Sequence, residues 1–210
     1  MTRNSCRPPG ATDARRSASS RAELLRRAAL IGGSALATGG VVTALAEGGG
    51  EHAPQARDVQ ILNYVLRLER LKAAFYKAAA EGDALTGELK QLAQVLGDHE
   101  RAHVAFLRRQ LGTKATPAAT YDFGDAVRDA DRFASTAHEL EETAVSAYIG
   151  EGANLSRPFM VPFAQLCSVE ARHAAWTANV LGRDPAPRAA DKSKAPKRVL
   201  EVVEMFEAGS

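Results

Sequence analysis

Glu69, Glu100, His103, Glu141, Glu170 and His173 are the residues of this 210-residue chain whose types and spacing could do chemistry. They fall into two copies of one pattern. The first copy runs Glu69, Tyr76 seven residues on, then Glu100-x-x-His103. The second runs Glu141, Tyr148 seven residues on, then Glu170-x-x-His173. The gaps between the two Glu of each copy are 31 and 29 residues, so the repeat is nearly in register with itself. Glu and His three apart share one face of a helix. Two such pairs, each preceded by an inward Glu on another helix, supply four carboxylates and two imidazoles. That is the ligand set for two iron ions, with manganese as the alternative, inside a four-helix bundle.

Position along the helices argues that these groups are ligands. Glu100 and His103 interrupt the apolar stripe Leu89, Leu92, Leu96, Leu107, and Glu170 and His173 interrupt Phe163, Leu166, Leu181. Glu69 continues the stripe Leu62, Val65. In the third helix Glu141 shares a face with Ala137, Ala144 and Tyr148, whereas Glu139 and Glu142 share one with Ser135 and Ser146. Burying one unpaired carboxylate costs several kcal/mol, and four together need compensating positive charge. Two divalent cations would neutralise them. A mixed oxygen and imidazole donor set suits iron or manganese better than zinc or calcium. A single Glu-x-x-His is ordinary helix surface; two on apolar stripes at matched spacing are not. Tyr76 and Tyr148 are expected beside the ligands, as hydrogen-bond partners or redox groups, with plain core packing as the other reading. His99, at the edge of its stripe, reads as a spare ligand or as a surface residue.

These residues need four helices to position them. The first is expected from an Asp58 N-cap to about Ala80, and the second from about Ala84 to Leu111, closed by Gly112. Residues 112–124 read as an irregular crossover. The third helix is expected from about Asp125 to Ile149, then a loop from Gly150 to Pro158. The fourth is expected from about Phe159 to Leu181, with Pro162 in its first turn. No stretch alternates with strand period. About 13 extended residues span roughly 40 Å, the length of a helix of about 27 residues, so the second and third helices can run parallel. The expected fold is all-α: a four-helix bundle over residues 58–182, made of two antiparallel pairs joined by a long crossover. Residues 183–197 read as a flexible tether. Val199, Leu200, Val203 and Phe206 give residues 198–207 one apolar face, to dock on the bundle or on a partner.

The N-terminal residues have a different composition. Seven Arg and only two acids occupy the first 27 residues, and Ala28 to Ala46 carries no charge. Residues 1–46 are therefore expected to be a signal peptide of twin-arginine type, with Arg26-Arg27 abutting a Gly-rich apolar core, or a retained membrane anchor. Residues 47–57 read as a linker. Of the 27 basic and 25 acidic residues, the leader takes seven and two, so the remainder holds 20 basic and 23 acidic residues and a net charge of about −3. That removes the main argument for a nucleic-acid partner. Cys6 leaves with the leader, and Cys167 alone cannot form an internal disulfide.

Three runs, Leu66-Arg67-Leu68-Glu69-Arg70-Leu71-Lys72-Ala73-Ala74-Phe75-Tyr76, His99-Glu100-Arg101-Ala102-His103-Val104-Ala105-Phe106-Leu107 and Glu141-Glu142-Thr143-Ala144-Val145-Ser146-Ala147-Tyr148, resemble the ferritin-like superfamily. They are similar to its exported members of the desiccation- or stress-related type. The resemblance covers about residues 56–182. It implies a di-iron-type site and oxidation of iron or reduction of peroxide or O2. Many such proteins have no established activity. Lys72 departs from the pattern, since relatives often carry a second Glu there; its cation either pairs with a ligand carboxylate or snorkels outward.

The leading expectation is an extracytoplasmic redox metalloprotein whose dimetal centre reacts with O2 or peroxide. A non-catalytic stress protein with a metal-stapled bundle, and an iron store built from a homo-oligomeric shell, are the alternatives. Whether the chain is an enzyme is left open.

Overall fold

The computed structural model describes residues 53–208. The expected leader at 1–46 lies outside them. All secondary structure in the described part is helical, apart from a single antiparallel bridge between Tyr121 and Glu207. The helices are α1 (Ala56–Glu81), α2 (Gly87–Leu111), α3 (Ala130–Gly152), α4 (Arg157–Val180) and α5 (Pro196–Glu204), with short 3-10 turns at Gly112–Lys114 and Gly124–Val127. No helix among the described residues is long and apolar enough to cross a membrane.

The chain's path makes α1 antiparallel to both α2 and α3. The crossover leaves α2 beside the start of α1, where Asn63 donates to Lys114 O and accepts from Thr116 N. It then follows α1, with Arg70 donating to the carbonyls of Thr116 and Pro117 and Phe123 packed edge-on against Phe75. Phe133, in the first turn of α3, stacks on Phe75 near the far end of α1. At the other end Asp58 accepts hydrogen bonds from Ser156 N and Oγ, just beyond α3. So α2 and α3 run in the same direction, as a long crossover allows. The fold is the expected helical bundle with a short C-terminal helix.

Several boundaries differ from the sequence expectation for identifiable reasons. Asp58 is not the N-cap of α1; Gln55 is, and Asp58 accepts from Gln55 N at 3.0 Å from three residues inside. Helix α2 starts at Gly87, whose φ of +54° suits glycine, with Leu85 already buried in the core. Helix α3 begins five residues later than expected, because Asp129 caps it by accepting from Arg132 N at 2.8 Å. It also continues through Gly150, the expected stop. A Cβ there would lie 3.2 Å from Lys194 O, so this glycine makes room for the passing C-terminal segment. Ser156 starts α4 two residues early, which puts Pro162 in the second turn, where it forgoes the bond to the Pro158 carbonyl.

The apolar core forms two clusters. One gathers Leu68, Leu71, Phe75, Leu92, Leu96, Phe133 and Leu140; the other gathers Ile61, Leu62, Val65, Phe106, Leu107, Phe163 and Leu166. Helix α5 closes the first cluster by burying Val199 and Val203 completely. The segment before it crosses α3, with Lys194 N bonded to Ser146 O and Arg188 paired to Glu142 at 3.1 Å. Arg67 and Glu207 form a two-armed ion pair that holds the residues after α5 against α1.

Candidate metal centre

Each of α1 to α4 delivers one carboxylate to the interior of the bundle. Glu69 comes from α1, Glu100 from α2, Glu141 from α3 and Glu170 from α4, and all four are 0% exposed. His103 and His173 follow one turn after their Glu and are likewise buried. The structure brings all six expected residues into one cage. Glu69, Glu100, His103 and Glu170 form one group of converging ligand atoms; Glu100, Glu141, Glu170 and His173 form a second that shares Glu100 and Glu170. Glu139 lies exposed on the opposite face of α3 and Glu142 is half-buried under Arg188, so neither reaches the cage.

The two tyrosines exchange halves. Tyr76 of the first copy donates to Glu141 Oε1 of the second at 2.5 Å, and Tyr148 of the second donates to Glu69 Oε1 of the first at 2.7 Å. Burial and the adjoining carboxylates push both phenols well above their ordinary range, so they remain donors.

Lys72 does not snorkel. It is fully buried, and its Nζ lies 3.1 Å from Glu100 Oε2, 3.1 Å from Glu141 Oε2, 3.5 Å from Glu69 Oε2 and closest of all to Glu170 Oε2. One ammonium thus touches all four carboxylates. Its counterpart in the second copy, three residues after Glu141, is the buried Ala144. The pseudo-twofold repeat is broken at this pair of positions.

His99 is the other residue whose role the sequence left open. Its Nδ1 lies 2.9 Å from His173 Nε2 and the two rings stack. Burial and the neighbouring His173 hold His99 below the usual imidazole range, so it stays neutral beside His173. The contact between them turns His173 Nδ1 towards the carboxylates, 3.1 Å from Glu100 Oε1.

Charges in the cage are strongly coupled. Burial and the Glu170 charge push the Glu69 carboxyl up to about 8. Burial works against ionising Glu100, but Lys72 and the two imidazoles outweigh it and hold that carboxyl well below its ordinary range. Glu170 is lowered by the same neighbours, against burial and the Glu100 charge. Burial opposes the charge on His173 too, yet the nearby carboxylates of Glu100, Glu141 and Glu170 push it up to about 11.

Six buried cage atoms still find no hydrogen-bond partner: Glu69 Oε2, both Glu100 oxygens, Glu170 Oε1, and Nδ1 of His103 and His173. His103 Nδ1 is 2.9 Å from Glu170 Oε1 and 3.5 Å from Glu69 Oε2, close but poorly aligned for hydrogen bonding. Buried polar atoms are rarely left in this state. Atoms that converge without bonding to one another have the arrangement of ligands directed at a common cation, and the donor set fits one. The cluster could hold metal.

Comparison with curated proteins gives no match. The model of the ferritin-like domain family matches residues 57–183, a span that contains every cage residue and, but for Ala56 at the start of α1, the four bundle helices. With the double Glu and Glu-x-x-His pattern on its four helices, the chain belongs to the ferritin-like domain family.

Proposed function

We propose that this chain is an exported iron–carboxylate redox protein, with iron held in the cage and O2 or peroxide as the electron acceptor. The observation that carries the reading is the set of six converging buried atoms that make no hydrogen bond, four carboxylate oxygens and two imidazole nitrogens, in a ferritin-like bundle. Iron bound there would supply one-electron redox chemistry and Lewis acidity; manganese fits the same donors.

The protein's own part is positioning and exclusion. Tyr76 and Tyr148 fix the outer carboxylates by one oxygen each, which leaves the other oxygen turned inward. His99 orients His173. The two apolar clusters keep bulk water away from the cage, which strengthens every electrostatic contact inside it. Export rests on the Arg-rich start and the uncharged stretch that follows it.

A second reading has one observation in its favour. Lys72 already ties the four carboxylates together, so a non-catalytic, stress-related bundle needs less metal to hold its core.

Adding Fe(II) to the chelated protein in air separates the two. The redox reading expects bound iron, O2 consumption above the buffer rate and a ferric absorption band. Bound iron with no oxidation above buffer would leave the structural reading. Fractionation that finds the whole chain, residues 1–46 included, in the cytoplasm would overturn export.

A further inference from the structure

We propose that Lys72 Nζ is a built-in cation that takes the place of one of the two ions, so that the cage binds a single divalent ion on the Glu69–Glu100–His103–Glu170 side. This rests on the metal-binding reading above and fixes its stoichiometry and position.

Space excludes the ion on the other side. In the Glu100–Glu141–Glu170–His173 group Lys72 already contacts one oxygen of each carboxylate: Glu141 Oε2 at 3.1 Å, Glu100 Oε2 at 3.1 Å, and Glu170 Oε2. Metal–oxygen bonds are about 2.0–2.2 Å long, so an ion bonded to those oxygens would fall on or against Nζ. Glu141 is also fully engaged. Its Oε1 accepts from Tyr76 and its Oε2 from Lys72, and neither oxygen is among the unpartnered atoms.

The other group has the opposite character. Glu69 gives Oε1 to Tyr148, and its Oε2 makes no hydrogen bond, with Lys72 Nζ 3.5 Å away. Glu100 Oε1, His103 Nδ1 and Glu170 Oε1 likewise make no hydrogen bond, while Glu100 Oε2 lies 3.1 Å from Lys72 Nζ. Each of its four residues therefore has a buried atom to offer, and Glu170 can give Oε1 to the ion while Oε2 stays with Lys72. A second dication would also sit beside a fixed ammonium, with no further carboxylate to offset it. Since Ala144 stands at the position equivalent to Lys72, only one half of the repeat carries this cation. The asymmetry selects the side.

The test uses the folded chain after chelation, loaded with Mn(II) without oxygen and then freed of excess metal. Metal analysis counts the ions, and electron paramagnetic resonance distinguishes an isolated Mn(II) from a coupled pair. We expect one ion with an isolated signal in the unmodified protein. Lys72→Ala and the longer neutral Lys72→Met should take up two, with a coupled signal. Within the unmodified background, His103→Ala should lose the ion and Glu141→Gln should keep it, a comparison that does not depend on either Lys72 variant folding. Two ions with a coupled signal in the unmodified protein would overturn the inference and leave the metal reading intact. Loss of the ion in Glu141→Gln with retention in His103→Ala would overturn the assigned side. No ion in the unmodified protein or in either Lys72 variant would overturn the inference and the metal reading together.

Discussion

Tyr148 on α3 donates its phenol proton to Glu69 Oε1 on α1 at 2.7 Å, while Tyr76 on α1 donates to Glu141 on α3. Each half of the repeat therefore holds the other's carboxylate, and the two hairpins are joined through the cage. Tyr148→Phe removes a donor to a buried carboxylate and should destabilise the bundle by about 1.5–3 kcal/mol. The ion should remain, because Glu69 Oε2 is untouched, and any iron oxidation should slow. Denaturant unfolding and metal analysis of the same sample check both; full loss of metal would show that the phenol does more than hold Glu69.

The metal-free protein should lose stability with rising pH. Unfolded, Glu69 releases its proton near 4.5 and His173 near 6.5; folded, they keep them to about 8 and about 11. Between those values the folded state binds more protons, so stability falls as pH rises. The His173 share is complete below 6.5 and is lost as pH passes through about 11. Glu100 and Glu170, both lowered, work the other way and lose their share below 4.5. Unfolding midpoints measured from about pH 6 to about pH 10 should therefore decline, and metal-loaded protein should decline less because the ion replaces a proton. A rising midpoint over that range would contradict the charge assignment.

Gly97 on α2 faces the tyrosine that holds Glu141. A Cβ at this position would lie 3.2 Å from Tyr76 Cβ. Gly97→Ala should push α2 from α1 or shift Tyr76, at a cost of about 1–3 kcal/mol for overpacking, partly offset by better helix propensity. Unfolding measurements read the cost. Tyrosine fluorescence or NMR reads the movement, and an unchanged Tyr76 environment with unchanged stability would mean the contact relaxes freely.

Val203 tests the role of α5. It is 0% exposed and packs in the same cluster as Leu71 and Phe75. Val203→Asp would bury an unpaired charge and should destabilise the bundle by several kcal/mol. A variant with unchanged denaturant midpoint would show that α5 lifts off the bundle without consequence.

Much of this protein is legible along the chain because helical period is a local property. The four bundle helices, the inward direction of Glu69, Glu100, Glu141 and Glu170, and the outward direction of Glu139 all follow from which residues share a face. Helix ends were less legible, since capping by Gln55 and Asp129 competes with other plausible caps nearby. Gly150 looked like a stop and proved to be a clearance for Lys194. The residues that decide the site's chemistry depended on distance between helices. Nothing in the spacing says that Tyr76 reaches Glu141 rather than Glu69, or that His99 reaches across to His173. Lys72 is the sharpest case. One turn after Glu69 it could extend outward or inward, and its stem is long enough for either. Only the packed bundle, with four carboxylates converging where its ammonium ends, decides that the charge is buried; the attraction that makes the choice comes from three other helices.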